Sequence, residues 1–353
     1  MRNTILYTVA LLFMSFVITA QTEKELKEKE KMSTQTVKAS QTKKDSKQTE
    51  TEITNTSVPV KVKNDIYMVQ GKGGNIGLSF GNDGVFIIDD QFEEDVPELL
   101  KNIKKISKKP IKYLVNTHHH PDHTGGNTLL ANEGATIFSH DNTRKRLNEQ
   151  RKSSTDKVGS EMLPVITFSE NINFYFNNEE IMIFHVHNAH TDGDVIVYFT
   201  KNNVIHAGDT FFNGKYPFID LESGGSVQGS LDALDQILMI SDEKTKIIPG
   251  HGDIATATDV KLAKMLITYL QNRIKLLYID GKTLEEVLAM KNLTEKYDAK
   301  GYGDGFIDSE KMVRIIFKDV EKERSSVDTR SMEERLEEQQ RELEKKGNKK
   351  IKG

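Results

Sequence analysis

The chain has no cysteine among its 353 residues. This excludes disulfides, thiolate metal ligands and a lipid anchor on an N-terminal Cys. It leaves the redox compartment open, because exported proteins can do without disulfides. Charge of one sign is also lacking: 49 Lys and Arg stand against 53 Asp and Glu, a net charge of −4. With no basic patch, there is no electrostatic case for a nucleic-acid partner. Apolar residues make up 36% and charged ones 29%, and the apolar shortfall lies at the two ends. One long hydrophobic run exists, Ile5 to Ile18, and it is too short to span a bilayer comfortably, which takes about 20 residues.

That run follows Met1-Arg2 and precedes Thr19-Ala20-Gln21. A positive start, an apolar stretch and a small residue before a possible cut resemble a secretory signal peptide over residues 1–20. Ile18 is larger than the ideal residue at such a site, so a retained signal anchor is the rival. The expectation is removal, no stable membrane insertion afterwards, and a periplasmic or secreted protein. Residues 21–57 are rich in Lys, Glu, Thr, Ser and Gln and read as a disordered linker, because they cannot bury enough surface to offset ordering entropy. Residues 321–353 are again Glu, Lys, Arg and Gln with sparse apolar positions. Val327, Met332, Leu336 and Leu343 keep no steady heptad, so a solvated helix or disorder is favoured over a coiled coil.

Between these ends strands and helices alternate. Ile66–Val69, Asn75–Phe80 and Val85–Ile88 read as strands, and Asn82-Asp83-Gly84 as a hairpin turn. Asp95–Ile106 has helical spacing of Val96, Leu99, Leu100 and Ile103. Ile111–Val115 is a short buried strand. Helix, strand and helix follow at 129–133, 135–139 and 141–150, with a polar loop over 151–161. Strands return at 165–168, 172–176, 181–187, 195–200 and 204–207. Helices are expected at 226–240, 258–278, 284–290 and 310–320, with a short strand at 246–249. Spacing alone supports a mixed α and β domain.

The densest chemistry lies in Asn116-Thr117-His118-His119-His120-Pro121-Asp122-His123-Thr124-Gly125-Gly126-Asn127. Pro121 and the Gly125-Gly126 pair oppose a regular helix or strand here, so the stretch reads as a loop at a strand end. A curled backbone can aim His118, His120, Asp122 and His123 at one place. Imidazole and carboxylate are the ligands Zn²⁺ takes where Cys is absent; iron or manganese suits the same donors. Three later strand ends carry further candidates beside Gly or small residues: His190 in Asn188–Asp194, Asp209 in His206–Thr210, and His251 in Ile248–Gly252. His119, His140, His185, His187 and His206 read first as structural, with His119 pointing away from the ligands.

The His-x-His-x-Asp-His spacing and the three later motifs, in this chain order, resemble the metallo-β-lactamase fold superfamily. The resemblance covers about Val58 to Asp253. It implies an α/β fold, an αββα sandwich, with a catalytic domain over 58–253 and a helical extension of the same domain over 254–320. It also implies two zinc ions. His118, His120 and His190 would hold the first, Asp122, His123 and His251 the second, and Asp209 would bridge them. Asp122 would additionally orient a metal-held hydroxide and move a proton. Asp89, at a strand end, and Asp194 are expected to orient ligand histidines.

The implied function is exported hydrolysis of a small carbonyl substrate, first a β-lactam-like cyclic amide. Asp209 departs from the Cys or Ser of many zinc β-lactamases. With Thr117–His120 it is similar to glyoxalase II, so a thioesterase or lactonase is the alternative. The basic residues of glyoxalase II's C-terminal domain have no counterpart here. A non-catalytic zinc-binding protein on the same fold is the alternative of another class. Lys215 could meet a substrate carboxylate or be a surface lysine. The segment Asp298–Glu310 fails the calcium-loop pattern and reads as a Gly-rich turn. Oligomeric state is not legible.

Overall fold

The computed structural model describes residues 58–154 and 159–326. The expected signal peptide, linker and charged tail lie outside the described residues. Two sheets form the centre. The first runs in chain order: β1 (Val60–Lys63), β2 (Ile66–Val69), β3 (Ile76–Phe80), β4 (Val85–Ile88), β5 (Ile111–Val115), β6 (Thr136–His140) and β7 (Ile166–Phe168). The second is ordered β12 (Lys246–Ile248), β11 (Val204–His206), β10 (Val195–Phe199), β9 (Glu179–His185) and β8 (Asn171–Phe176). β4 to β7 pair in parallel, as do β11 and β12, and the remaining pairs are antiparallel.

Alternation along the strands builds the layers. In β4, Phe86 and Ile88 face the second sheet, and Val85 and Ile87 face outward. In β10, Val195 and Val197 face the first sheet while Ile196 faces outward. The inner faces make one apolar core, in which Phe86 touches Phe138, Phe174, Phe176 and Phe199. The outer face of the first sheet is covered by α1 (Val96–Ile106) through Val96, Leu99 and Ile103. The outer face of the second is covered by α5 (Val227–Ile240), α6 (Ala257–Ile279) and α9 (Ser309–Ser326). This is the αββα sandwich that the resemblance implied. Between α1 and α5 lie three further helices, α2 (Pro121–Thr124), α3 (Asn127–Asn132) and α4 (Asp141–Ser153). The extension adds α7 (Leu284–Leu288) and α8 (Glu295–Asp298).

Local sequence sets these boundaries. Ser226 accepts a hydrogen bond from the Gly229 amide at the start of α5. Thr256 and Asp259 form a reciprocal capping box on α6. Several readings differ, among them α8, which was not expected, and α4, which runs three residues into the expected polar loop. β1 is an extra edge strand with two exposed residues, whose short apolar content hides it. The strand expected to run to His187 ends at His185, because Asn188 turns the chain with a positive φ of 50°. Pro121 also does not keep helix out of the metal loop: it occupies the first position of the single-turn α2, where its missing N–H and fixed φ fit.

Candidate metal centre

The candidate residues gather where strands of both sheets end. His118 and His120 follow β5, Asp122 and His123 ride on α2, His190 follows β9, Asp209 follows β11 and His251 follows β12. Two groups of potential ligand atoms take in the seven candidates, His118, His120, His190 with Asp209, and Asp122, His123 with His251, and His119, His120 and Asp220 form a third. His118 Nε2 lies 3.0 Å from His120 Nδ1, and His190 Nε2 lies 2.9 Å from the same atom. Asp209 Oδ1 is 3.1 Å from His123 Nε2. Its Oδ2 is 3.3 Å from His251 Nε2 and 3.6 Å from His190 Nε2. Asp122 Oδ2 stands 3.6 Å from His123 Nε2 and 3.5 Å from His251 Nε2.

Hydrogen-bond partners behind the rings fix their tautomers. His120 Nε2 faces Asp220 Oδ2 at 3.1 Å, so its proton sits there and Nδ1 presents a lone pair. His190 Nδ1 faces the Phe218 carbonyl at 2.7 Å, which leaves a lone pair on Nε2. The Thr117 hydroxyl donates to Asp89 and so accepts from His118 Nδ1; again Nε2 is free. His123 Nδ1 donates to Asp89 Oδ2 at 2.7 Å. Three lone pairs therefore converge within hydrogen-bond distance with no proton to share. Buried His123 Nε2 and Asp209 Oδ1 face each other without hydrogen-bond geometry. Such a set repels itself unless a cation stands among its members, and the donors fit zinc.

Burial and neighbouring imidazoles hold His118 well below its ordinary pKa. Burial also takes His190 to about 4, so both rings are neutral donors. Burial opposes charge on His123, but Asp209, Asp89 and Asp122 overcome it and push its pKa well up. Positive charge is thus demanded at this ring, from a proton or a metal. Burial likewise opposes the Asp209 carboxylate, yet His123 and His251 keep it well below the usual range. Backbone approach makes this crowding possible. A Cβ on Gly250 would sit 2.0 Å from Asp209 Oδ1, and one on Gly74 would sit 2.3 Å from His123 Nε2.

Asp89 touches a candidate ligand directly, with φ at 60°, and also accepts from the Thr117 amide. Asp194 does not. Its carboxylate accepts from the Thr191 amide and hydroxyl, so it shapes the loop after His190 rather than orienting a ring. Burial raises its pKa to about 8. His119 turns away from the two groups but not toward solvent: it is buried beside the His120 ring, with Nε2 3.4 Å from Ser223 Oγ. Asp220 was missed, since nothing local in Phe218-Ile219-Asp220 marks a partner for a histidine 100 residues earlier. Burial works against its charge, but hydrogen bonds from His120 and Ser223 hold the carboxyl below its usual range. Lys215 Nζ donates to the Gly301 carbonyl and lines the cleft. That cleft, about 700 Å³, opens onto His120, Asp122, Asp209 and His251.

Comparison with known proteins agrees with this architecture. The family model of the Metallo-beta-lactamase superfamily matches residues 69–251. A hydroxyacylglutathione hydrolase of Pelagibacter ubique is 30% identical over 163 residues, 44% of this chain and 59% of that protein. A metallo-beta-lactamase type 2 of Elizabethkingia meningoseptica is 23% identical over 213 residues, 60% of this chain and 78% of that protein. Among solved structures, the stereoselective inverting sec-alkylsulfatase Pisa1 from Pseudomonas sp. superposes with a TM-score of 0.59 at 17% identity. That superposition covers 74% of this chain and 50% of the sulfatase, a likeness of fold. This chain therefore spans little more than half the length of the first relatives it matches. With the matched segment taking in every candidate ligand from His118 to His251, the chain belongs to the Metallo-beta-lactamase superfamily.

Proposed function

We propose that this chain is a dinuclear zinc hydrolase that cleaves an acyl carbon–heteroatom bond of a small molecule. The fold and the two clusters support a metal-dependent hydrolase of this superfamily. The observation that carries the reading is the convergence of imidazole lone pairs on one point, with Asp209 set between the two groups. His118, His120 and His190 would hold one ion, Asp122, His123 and His251 the other, with Asp209 shared. Bound zinc supplies Lewis acidity and makes water a nucleophile near neutral pH. The chain's own residues do the rest. Asp89 and Asp220 hold His123 and His120 in the required tautomers. Asp122, at the cleft floor and partly exposed, is placed to take and return a proton.

Acyl thioester or lactone hydrolysis is placed first. Asp209 stands where both groups meet, and the Pelagibacter relative carries the name of a thioester hydrolase. Cyclic-amide cleavage is the second reading, supported by the type 2 β-lactamase relative. A panel of acyl thioesters, lactones and nitrocefin, assayed on protein loaded with two zinc ions, tests this. Thioester or lactone turnover should exceed nitrocefin turnover. The reverse order promotes the second reading, and no turnover by fully loaded protein leaves a zinc-binding protein without this chemistry.

We infer from residues 1–20 that the protein acts beyond the inner membrane after removal of a signal peptide. Among the described residues no helix is long and apolar enough to cross a membrane. N-terminal sequencing of mature protein beginning near Gln21 is the expected result, and a mature chain that begins at Met1 in the membrane fraction argues for an anchor.

A further inference from the structure

The family match ends at residue 251, yet the cleft does not. The Gly-rich turn between α8 and α9 brings Gly305, Phe306 and Ile307 into its lining, together with Phe92, Phe212 and Phe218. Phe306 is 73% exposed. It is nevertheless held. Its ring meets Phe218 edge-on at 5.7 Å, and Lys311 reaches both its carbonyl, at 2.8 Å, and its ring, at 4.9 Å. Phe218 in turn stacks near-parallel on the His120 ring and gives its carbonyl to His190. The turn is tied to the same segment by the Tyr216 amide, which donates to the Tyr302 carbonyl, and by Lys215, which donates to Gly301. Tyr216 and Ser309 both donate to Asp298. An exposed ring on a pinned turn thus lines the same cleft as His120, Asp122, Asp209 and His251.

We propose that Phe306 is a specificity-determining residue of the acyl-hydrolase site, and that the substrate carries a bulky apolar group, aryl or medium-chain alkyl, which lies against the exposed face of Phe306. This rests on the acyl-hydrolase reading above. Covering the exposed Phe306 face removes apolar surface from water, which favours such a group over a small one, while the reacting carbonyl lies at the ligand end of the cleft.

The test compares wild-type, Phe306→Ala and Phe306→Leu on acetyl and octanoyl thioesters, all with two zinc ions bound. Wild-type kcat/KM should favour octanoyl. Phe306→Ala should reduce the octanoyl-to-acetyl ratio about tenfold, on the scale of discrimination by apolar pockets, and Phe306→Leu should restore much of it. An unchanged ratio overturns the proposal, even where both rates fall. Calorimetry of octanoate and acetate binding to the same zinc-loaded proteins needs no turnover, and so separates this proposal from the reaction assignment. Tighter octanoate binding that weakens in Phe306→Ala sustains it even if no thioester is cleaved. Equal affinity for the two carboxylates, or an octanoate preference untouched by the substitution, overturns it.

Discussion

Asp122 and Asp220 lie within reach of the same His-rich loop, yet their positions assign them different work. Asp122 sits among the imidazoles of the second group, 3.5 Å from His251 Nε2, and lines the cleft. Replacing it with Asn keeps the shape and removes the base, so kcat should fall about 10²- to 10⁴-fold. Steady-state kinetics in excess zinc, with metal content measured alongside, checks this; a fully loaded variant with unchanged kcat would deny Asp122 the proton. Asp220 stands behind His120, and Asp89 behind His123. Asp220→Asn and Asp89→Asn should each weaken one zinc about 10- to 100-fold, the usual effect of losing such a partner. Competition with a chromophoric chelator reads that change without any assay of turnover. Asp89→Asn should also lower stability, since one amide oxygen replaces two carboxylate oxygens that accept from the Thr117 amide, the Thr117 hydroxyl and His123 Nδ1.

At the level of elements, the inner faces of the two sheets carry the stability that lets strand ends hold repelling groups together. Phe86 is fully buried among four other aromatic rings. Phe86→Ala should cost about 3–5 kcal/mol, measured by urea denaturation, and a loss under 1 kcal/mol would show that the sheets repack around the gap. Strands such as Val85–Ile88, closed by Asp89-Asp90, and Ile111–Val115, closed by Asn116, were legible because each is a short apolar run that ends in residues that turn the chain. The local motifs at His118–His123, His190, Asp209 and His251 were legible for the same reason: the residues that bend the chain lie next to the candidate ligands. What reaches the site from far along the chain was not. Asp220, the Phe218 carbonyl and the turn bearing Phe306 arrive by tertiary folding alone, and Asp194, expected to orient a histidine ring, accepts from the Thr191 amide and hydroxyl. His119 is expected to face away from the ligands, and its ring packs beside His120 with Nε2 near Ser223 Oγ.

Across the whole molecule, three apolar clusters exist without any of the candidate ligands. Metal removal should therefore leave the fold standing. Chelated protein is expected to keep its far-UV circular dichroism while its Tm falls. The lost stabilisation follows ligand linkage, about 4 kcal/mol where free metal exceeds Kd a thousandfold. Activity should disappear with the metal and return on adding zinc. Collapse of secondary structure on chelation would instead make the metal part of the folding nucleus.

The same arrangement has a consequence in time. The Asn75 side chain, ahead of β3, donates to the carbonyls of Pro249 and Gly252 on the His251 loop, across 174 residues of sequence. His120 and His190 are separated by 70. Neither sheet alone can assemble the centre, and contacts of such separation form late and slowly. Zinc capture then becomes a clock for the last event in folding. In a refolding experiment followed by a zinc-sensitive dye, metal uptake should lag the recovery of strand and helix signal, and a dye trace that runs ahead of that signal would mean that a nascent loop captures the ion first.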